Sequence, residues 1–329
     1  MSLPTFGFET TADEVASVLK DQIAGKNILI TGTSIKGLGF EAARAIAPYA
    51  NLVVITGYNA ERLRLSQEAL CKEFPSANIR PLTLDVSSLG SVRKAAAEVN
   101  AYPEPLHVLI HNASIMGAYS ITEDDLEIQA ATAHFGPFLL SKLLAPKMIA
   151  SSTEAFIPRV VYISSVSHAW GITGIDWKTL RHGDPPAVAN TTEGFAKRYS
   201  EVKAADILTA AEISRRAKGQ LRAYSVHPGT IWTNGFEKEH LQTAFKQFGL
   251  INPDGTPNTE VIQWKSIQQG AATHIVAAFD PRLDDQAGAY LIDGKVANEQ
   301  VAAHAADPAN AEKLWDLTEE ILGEKWEFS

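Results

Sequence analysis

The sequence is poor in cysteine and has no basic cluster. Of 329 residues only Cys71 is a cysteine, which excludes an intrachain disulfide or a thiolate metal cluster and favours a reducing compartment. The net charge is −9, and basic residues form nothing longer than pairs such as Arg215-Arg216. Nucleic acid and anionic membrane surfaces are therefore not expected as partners.

Targeting and membrane-spanning segments are also missing. The opening "MSLPTFGFETTADEV" is neither basic nor apolar enough for a signal peptide. No apolar run approaches the ~18 residues that a membrane helix needs. The sequence therefore predicts a cytoplasmic protein without a membrane span.

Short apolar runs rich in Val, Ile and Leu alternate with longer segments of helical period. Their hydrophobicity is continuous, which is typical of strands buried on both faces of a parallel sheet. The sequence predicts an α/β fold, a Rossmann-type doubly wound parallel sheet of about seven strands. With no repeat or linker, 1–329 reads as a single domain. The runs occupy 27–32, 51–57, 78–85, 106–114, 159–165, 221–229 and 288–294.

Helices are predicted between the strands. Thr11 and Glu14 have capping-box spacing for a short helix before the first strand, and Asp307-Pro308 is expected to open the last helix. Two further helices are predicted at 123–150, interrupted near Pro137 and Pro146, and at 197–217.

Two stretches lack strong periodicity, 168–196 and 233–258. Long irregular segments in a compact domain are usually lids or binding loops. We expect both to form substrate-site loops within the single domain.

The segment "TGTSIKGLGFEAARAI" (31–46) joins the first predicted strand to a helix. Glycines in such a turn let the backbone approach a pyrophosphate at the helix N-terminus. Gly32, Gly37 and Gly39 are the candidates. The pattern alone also fits an ordinary glycine-rich turn, so it needs support from elsewhere in the chain.

That support begins with Tyr199 and Lys203, which lie four apart on one face of a predicted helix in "RYSEVKAADIL". A phenol with a pKa near ~10 is a poor acid at neutral pH, and a neighbouring ammonium favours the phenolate. Tyr199 could then exchange a proton with a substrate oxygen. Ser165, at the end of "VVYISS", could hydrogen-bond the same oxygen.

With these motifs in order, the sequence resembles the short-chain dehydrogenase/reductase family, in the branch of retinol dehydrogenase-like and WW-domain oxidoreductase-like enzymes, including many fungal ones. The resemblance spans nearly the whole chain, through "GKNILITG", "LDVSSLGSVR", "LIHNASIMG", "VVYISS", "YSEVK", "SVHPGTIWTN", "GAYLIDG" and "NAEKLW".

The resemblance implies a catalytic trio of Ser165, Tyr199 and Lys203. It implies that Asp85 binds the adenine ring, that Asn112 supports the site and that Thr233 holds the nicotinamide amide. For Asp85 and Asn112, turn and strand-end roles remain open. The dinucleotide site as a whole would comprise Gly32, Ser34, Lys36, Gly37, Leu38, Gly39, Tyr58, Asn59, Asp85, Val86, Asn112, Ala113, Ser114, Tyr199, Lys203, Pro228, Gly229, Ile231 and Thr233.

The glycine loop departs from the family pattern, because four residues instead of three separate Gly32 from Gly37. Lys36 could meet the 2′-phosphate of NADP(H) as a point charge. The second strand ends without the acid that an NAD enzyme normally uses, and Tyr58 stands where relatives often have arginine. Asn59 and Arg62 could also receive the phosphate, so NADP(H) is favoured over NAD(H).

A second departure is Ala133 in "TAHFGPF", where the family commonly has an asparagine that supports the water chain behind the lysine. Alanine cannot make that hydrogen bond. A water, Thr132 or His134 could replace it, or the rate could be reduced. The alternative is a scaffold or sensor that binds the dinucleotide with little turnover.

Other chemistry is less well supported. The nine histidines show no metal-ligand spacing, so no metal is expected. Ser165 with His168 lacks the context of a hydrolase. An apolar pocket for a hydrophobic carbonyl or alcohol is predicted from aromatic residues near the irregular segments, whereas Trp264 and Trp315 are expected in the core. The pocket candidates are Val166, His168, Trp170, Phe195 and Trp232. His168 is expected at the pocket entrance, and a position on a surface loop is equally open for it.

The sequence therefore predicts an NADP(H)-dependent oxidoreductase acting on a hydrophobic alcohol or carbonyl compound. Retinoids, steroids, aryl ketones and secondary metabolites all remain possible substrates, and the direction is open. A homodimer or homotetramer is expected from the resemblance, packed through 123–150 and 197–217, although the longer tail could alter that packing.

Overall fold

A computed structural model describes residues 3–116, 119–236 and 239–328. Its centre is an eight-stranded sheet whose strands follow the spatial order β3-β2-β1-β4-β5-β6-β9-β10, with a separate short parallel pair formed by β7 and β8. The strands are β1 (Asn27–Ile30), β2 (Leu52–Gly57), β3 (Ile79–Thr83), β4 (Val108–His111), β5 (Arg159–Ile163), β6 (Arg222–His227), β7 (Thr230–Ile231), β8 (Trp264–Lys265), β9 (Tyr290–Ile292) and β10 (Lys295–Val296).

All seven predicted strands are present and parallel to one another in this sheet. The prediction of a doubly wound, Rossmann-type parallel sheet is thus confirmed. β10 is a two-residue antiparallel addition at one edge, too short to leave a hydrophobic pattern in the sequence. The two residues of β7 and of β8 were missed for the same reason.

Helices cover both faces of the sheet. The described α-helices are α1 (Ala12–Val18), α2 (Lys20–Ile23), α3 (Leu38–Ile46), α4 (Ala60–Glu73), α5 (Leu89–Asn100), α6 (Ile128–Ala130), α7 (Gly136–Ile149), α8 (Pro186–Ala189), α9 (Thr192–Ala217), α10 (Glu239–Gln247), α11 (Ile267–Phe279), α12 (Ala303–Ala306) and α13 (Pro308–Leu322). Short 3₁₀ turns occur at Val166–Ala169, Pro281–Leu283 and Asn298–Gln300.

Helix starts follow local capping. The Thr11–Glu14 capping box and the Asp307 cap ahead of Pro308 are present as predicted. The helix predicted at 123–150 instead begins at Ile128, because the Glu127 carboxylate caps it by accepting from the Gln129 and Ala130 amides. It continues through a π-helical segment, Ala131–Phe135, into α7, and Pro146 does not interrupt it.

The segments predicted to be irregular contain some regular structure. α9 begins at Thr192, five residues before the predicted 197, because the Thr191 hydroxyl accepts from the Gly194 amide. α8 also lies within 168–196, and α10 lies within 233–258.

Alternate residues of the strands are buried on opposite faces, which explains their continuous hydrophobicity. Ile28 and Ile30 of β1 pack in the cluster that contains α3 and α11, whereas Leu29 packs in the cluster that contains α5 and α7. None of the helices in the described ranges is long and apolar enough to cross a membrane.

The C-terminal helix and the residues after it cover the exterior of α7 and α9. Trp315 and Trp326 stack with ring centroids 4.9 Å apart, and both contact Phe138 of α7. Lys142 of α7 pairs with Glu324. The surface expected to join subunits is therefore partly occupied by the tail of the same chain.

Candidate active site

The predicted site residues converge at one edge of the sheet because each group follows the carboxyl end of a parallel strand. The strand order reverses between β1 and β4, and ligands of open α/β sheets bind at such a switch point. The groups are Gly32–Gly39 after β1, Tyr58 and Asn59 after β2, Asp85 and Val86 after β3, Asn112–Ser114 after β4, Ser165 and Val166 after β5, and Pro228, Gly229, Ile231 and Thr233 after or within β6 and β7.

The glycine loop packs tightly against the end of β4. Gly32 has φ +71°, and a Cβ on it would lie 2.8 Å from the Ala113 Cα. A Cβ on Gly39 would lie 2.7 Å from the Gly32 carbonyl oxygen and would also collide with the Asn112 amide. The loop therefore requires glycine at 32 and 39, because a side chain at either position would collide with the neighbouring backbone.

Asn112 holds this loop in place. Its Nδ2 donates to the Thr31 and Gly32 carbonyl oxygens at 3.0 and 2.9 Å. Gly37 is the N-cap residue of α3 and has no side chain to cap it, which leaves the amides of the first turn for an acceptor from outside the helix. The arrangement fits a phosphate group.

The outer edge of the loop is a turn in which the Gly37 amide donates to the Ser34 carbonyl oxygen at 3.0 Å. The extra residue of the loop is accommodated by Lys36 at φ +64°, and its side chain is exposed. Asn234 Nδ2 donates to the Ile35 carbonyl oxygen at 3.2 Å, so the segment after β7 is tied to the glycine loop.

The ends of β2 and β3 have different environments. Tyr58 is 67% exposed, and Asn59 caps α4 by accepting from the Arg62 amide. Asp85 Oδ1 accepts from the Ser87 amide and hydroxyl at 3.0 and 2.6 Å, so one carboxylate oxygen stabilises a turn.

Tyr199 and Lys203 lie on one face of α9, against the end of β5. Lys203 Nζ is 5.7 Å from the centroid of the Tyr199 ring and donates to the Ile163 carbonyl oxygen at 2.6 Å. The Ser164 hydroxyl donates back to the Lys203 carbonyl oxygen at 2.7 Å. Ser165 follows directly and is partly exposed, so the helix and the strand bring the predicted trio to one place.

Lys203 has a second partner that the sequence reasoning missed. Its Nζ lies 3.0 Å from Asp206 Oδ2, and both side chains are 4% exposed. Burial opposes the charge of Lys203, but Asp206 and Tyr199 outweigh it, so the pKa of Lys203 is raised. Burial raises the pKa of Asp206 to about 6, against the effect of Lys203. An acid three residues after a lysine on a helix is the signal that could have revealed the pair.

Ala133 is buried in the π-helical segment. The Thr132 hydroxyl donates to the Ile128 carbonyl oxygen at 2.7 Å, and His134 Nε2 lies 2.7 Å from the Thr318 hydroxyl. Burial lowers the pKa of His134 to about 3. Both side chains are thus engaged elsewhere, and neither takes the place of the expected asparagine.

Aromatic side chains gather beside Tyr199. Phe195 stacks on the Tyr199 ring with centroids 6.5 Å apart, and it also packs against a cluster that includes Trp232. Trp232 stacks on Phe236 at 5.2 Å. The remaining members are Met116, Leu241, Phe245, Leu250, Ile251 and Trp264.

Three predictions about aromatic residues need correction. His168 is neither at a pocket entrance nor on the surface, because it is buried and its two ring nitrogens bond the Ser165 carbonyl and the Ala302 amide. Trp170 is 51% exposed and lies outside the aromatic cluster. Trp264 belongs to this cluster and is half-buried, not in the core, whereas Trp315 is in the core as predicted.

Residues beside Tyr199 hold segment 176–190. Arg198 pairs with Glu127 at 3.1 Å, with both side chains buried, and donates to the Ala189 carbonyl oxygen. Glu201 Oε1 accepts from the Asp176 amide at 3.0 Å. Burial raises the pKa of Glu201 to about 7. The sequence reasoning missed these anchors because their partners are distant along the chain.

The comparisons agree with this architecture. The short chain dehydrogenase family model matches residues 26–175. Short-chain dehydrogenase TIC 32 A, chloroplastic, from Brassica napus is 33% identical, covering 96% of this chain and 94% of that protein. Short-chain dehydrogenase/reductase prx1 of Penicillium rubens is 34% identical, with 92% and 86% covered. Retinol dehydrogenase 12 of Mus musculus is 30% identical, with 93% and 89% covered.

Among solved structures, levodione reductase superposes with a TM-score of 0.61 at 19% identity, over 83% of this chain and 97% of that one. This similarity supports the fold. The relatives of 30% identity or more, each matching over more than nine-tenths of this chain, show that the chain belongs to the short-chain dehydrogenase/reductase family of oxidoreductases, in the branch of retinol dehydrogenase 12, WW domain-containing oxidoreductase and the fungal prx1 proteins.

Proposed function

We propose that the protein is an NADP(H)-dependent oxidoreductase that interconverts a hydrophobic alcohol and its ketone or aldehyde. The observation that carries the proposal is the position of Tyr199 and Lys203 on α9, docked through Lys203 onto the strand end that Ser165 follows. When bound, a nicotinamide dinucleotide supplies or accepts the hydride.

In this proposal Tyr199 gives a proton to the substrate oxygen during reduction and takes it back during oxidation. The Ser165 hydroxyl hydrogen-bonds the same oxygen and orients it. The Lys203 ammonium favours the phenolate form of a phenol beside it. Segments 168–196 and 233–258 close over the substrate and exclude water.

The glycine loop and the amides at the start of α3 would hold the pyrophosphate. The NADP(H) preference rests on exposed Lys36 and on the absence of an acid at the end of β2. Only Oδ1 of Asp85 bonds to Ser87, and we propose that the other carboxylate oxygen contacts the adenine. Thr233 would hold the nicotinamide amide.

The substrate class follows from the aromatic cluster next to Tyr199. Phe195 and Trp232 present large apolar surfaces there. Such surfaces favour a hydrophobic alcohol or carbonyl compound over a sugar. The cytoplasmic location stays a prediction. So does the homodimer or homotetramer, whose subunit contact has to leave room for α13 and the residues after it, which pack on α7 and α9.

Replacing Tyr199 with Phe tests the catalytic part of the proposal. Phenylalanine keeps the ring stacked on Phe195 but cannot transfer a proton. We expect turnover of aromatic ketones with NADPH to fall at least ~10²-fold, the usual scale for loss of a general acid, with nearly unchanged NADPH affinity. A wild type as slow as this variant on every carbonyl tested would instead support the dinucleotide-binding scaffold, which Ala133 favours.

Replacing Lys36 with Ala tests the cofactor preference. Fluorescence titrations with NADPH and NADH should show a roughly tenfold loss for NADPH and little change for NADH, because only NADPH carries the 2′-phosphate. Lys72, on the far part of α4, serves as the matched control in a Lys72→Ala variant. Equal losses for both dinucleotides would refute the role of Lys36.

A further inference from the structure

Lys203 is an unusual lysine because it is deeply buried. Its side chain is 4% exposed, so its ammonium has little contact with water. Burial favours the neutral amine, and fully buried lysines can lose several units of pKa. The proposed role of Lys203 requires a charged ammonium, so something nearby has to compensate for the lost hydration.

Two groups contact the ammonium. The Ile163 carbonyl oxygen accepts a hydrogen bond at 2.6 Å but carries no net charge. Asp206 Oδ2 lies at 3.0 Å, one helical turn further along α9. Among the described residues, Asp206 is the one carboxylate whose charge acts on Lys203.

The other titratable groups around the pair do not supply a charge. Burial raises the pKa of Tyr162 on β5, and the charge of Asp206 adds to that effect. Burial lowers the pKa values of His111 on β4 and His134 on the π-helical segment to about 3, so both are neutral near pH 7. Tyr199, on the same helix, is the remaining titratable neighbour.

The expected support from the π-helical segment is also missing. Ala133 has no polar side chain, and Thr132 and His134 are bonded to Ile128 and Thr318. Within the described part of the chain, the side chain that fixes Lys203 therefore comes from its own helix.

We propose that Asp206 is the counter-ion of Lys203, a positioning residue that keeps its ammonium charged and fixed between Ile163 and Tyr199. The inference rests on the proposed function only for its consequence in catalysis, since the ion pair itself does not depend on turnover. It assigns to α9 a set of three functional positions, 199, 203 and 206, in place of two.

Replacing Asp206 with Asn is the direct test, because asparagine can still accept a hydrogen bond from Nζ but carries no charge. Lysine side chains labelled with ¹³C at Cε report their protonation by NMR, and a Lys203→Arg variant identifies the Lys203 resonance. In the wild type we expect the Lys203 midpoint to lie above the ordinary lysine value of 10.5. In Asp206→Asn its midpoint should fall by at least about one pH unit. Glu193→Gln, an exposed acid on the same helix, should leave it unchanged.

An unchanged Lys203 midpoint in a folded Asp206→Asn variant would overturn the proposal. If that variant does not fold, the wild type still decides, because a Lys203 midpoint below the ordinary lysine value of 10.5 would show that Asp206 does not outweigh burial. This measurement needs no substrate, so it stands even if the proposed oxidoreductase activity is not found.

The catalytic consequence has its own readout. In Asp206→Asn the pH profile of kcat for alcohol oxidation should move upward, because Lys203 loses its proton at a lower pH than in the wild type and then no longer favours the phenolate. Arginine stays charged whether or not a carboxylate lies beside it. In a Lys203→Arg background, adding Asp206→Asn should therefore not move the profile. A shift of equal size in both backgrounds, or a downward shift, would contradict the counter-ion role.

Discussion

Glu201 makes the stability of the protein depend on pH. Its side chain is 6% exposed, and burial raises its pKa from 4.5 to about 7. An acid whose pKa is higher in the folded than in the unfolded state binds more protons when folded. Its contribution to folding is therefore complete at low pH and is lost as the pH rises through 7.

The magnitude follows from the shift. One pKa unit corresponds to ~1.4 kcal/mol, so a rise from 4.5 to about 7 corresponds to ~3 kcal/mol over the full range. Between pH 5 and pH 8 the loss amounts to roughly 2.5 kcal/mol, because part of it has already occurred at pH 5. A Glu201→Gln variant lacks this loss and keeps an oxygen to accept from the Asp176 amide.

Urea unfolding followed by circular dichroism at pH 5, 6, 7 and 8 measures the effect. The free energy of unfolding of Glu201→Gln minus that of the wild type should increase with pH by about 2.5 kcal/mol across this range. Glu193→Gln, exposed on the same helix, controls for the loss of one negative charge. A difference that stays constant with pH would show that burial does not perturb Glu201, and the reasoning would be wrong.

Two further predictions concern packing. Gly39→Ala should weaken dinucleotide binding roughly tenfold or more, because its Cβ would collide with the Gly32 carbonyl and with Asn112. Titration with NADPH measures the loss. Gly7→Ala serves as the control, because a Cβ on Gly7 meets nothing within 4 Å. Arg198→Met should cost about 3–5 kcal/mol in urea unfolding because it leaves Glu127 buried and unpaired. The double variant with Glu127→Gln should recover part of that loss, and a double variant no more stable than the single one would contradict the pairing.

The centre of the sheet was predictable because β1, β4 and β5 are buried on both faces, so each leaves a continuous apolar run. The glycine loop was predictable because tight backbone approach restricts 32 and 39 to glycine. The first residues of the helices were less predictable. Glu127 and Thr191 cap their helices through side-chain hydrogen bonds, but other residues nearby could also serve as caps, and the tertiary structure decides which one does.

The parts of the candidate site that could be predicted are those whose residues lie close together in the sequence, on one helix or at the end of one strand. Tyr199 and Lys203 share a helix face, so their proximity followed from their spacing, and their catalytic role stays a prediction. His168 was misplaced because its partner Ala302 lies 134 residues away, and no local pattern reports such a contact. Arg198 and Glu127 were missed for the same reason, whereas Asp206 had a local signal that was not used.

The attachment of segment 176–190 to α9 limits how this segment can be transferred from a related enzyme by protein engineering. Three of its anchors, at Lys197, Arg198 and Glu201, flank Tyr199 on the same two helical turns. A graft that replaced 176–190 alone would remove the Asp184 carboxylate that pairs with Lys197. It would keep the bonds to Glu201 and Arg198 only where its backbone follows the same path, because those partners are the Asp176 amide and the Ala189 carbonyl. A chimera should therefore take residues 176–201 and position 127 from the same donor enzyme. Such a chimera should carry the donor's segment without displacing Tyr199.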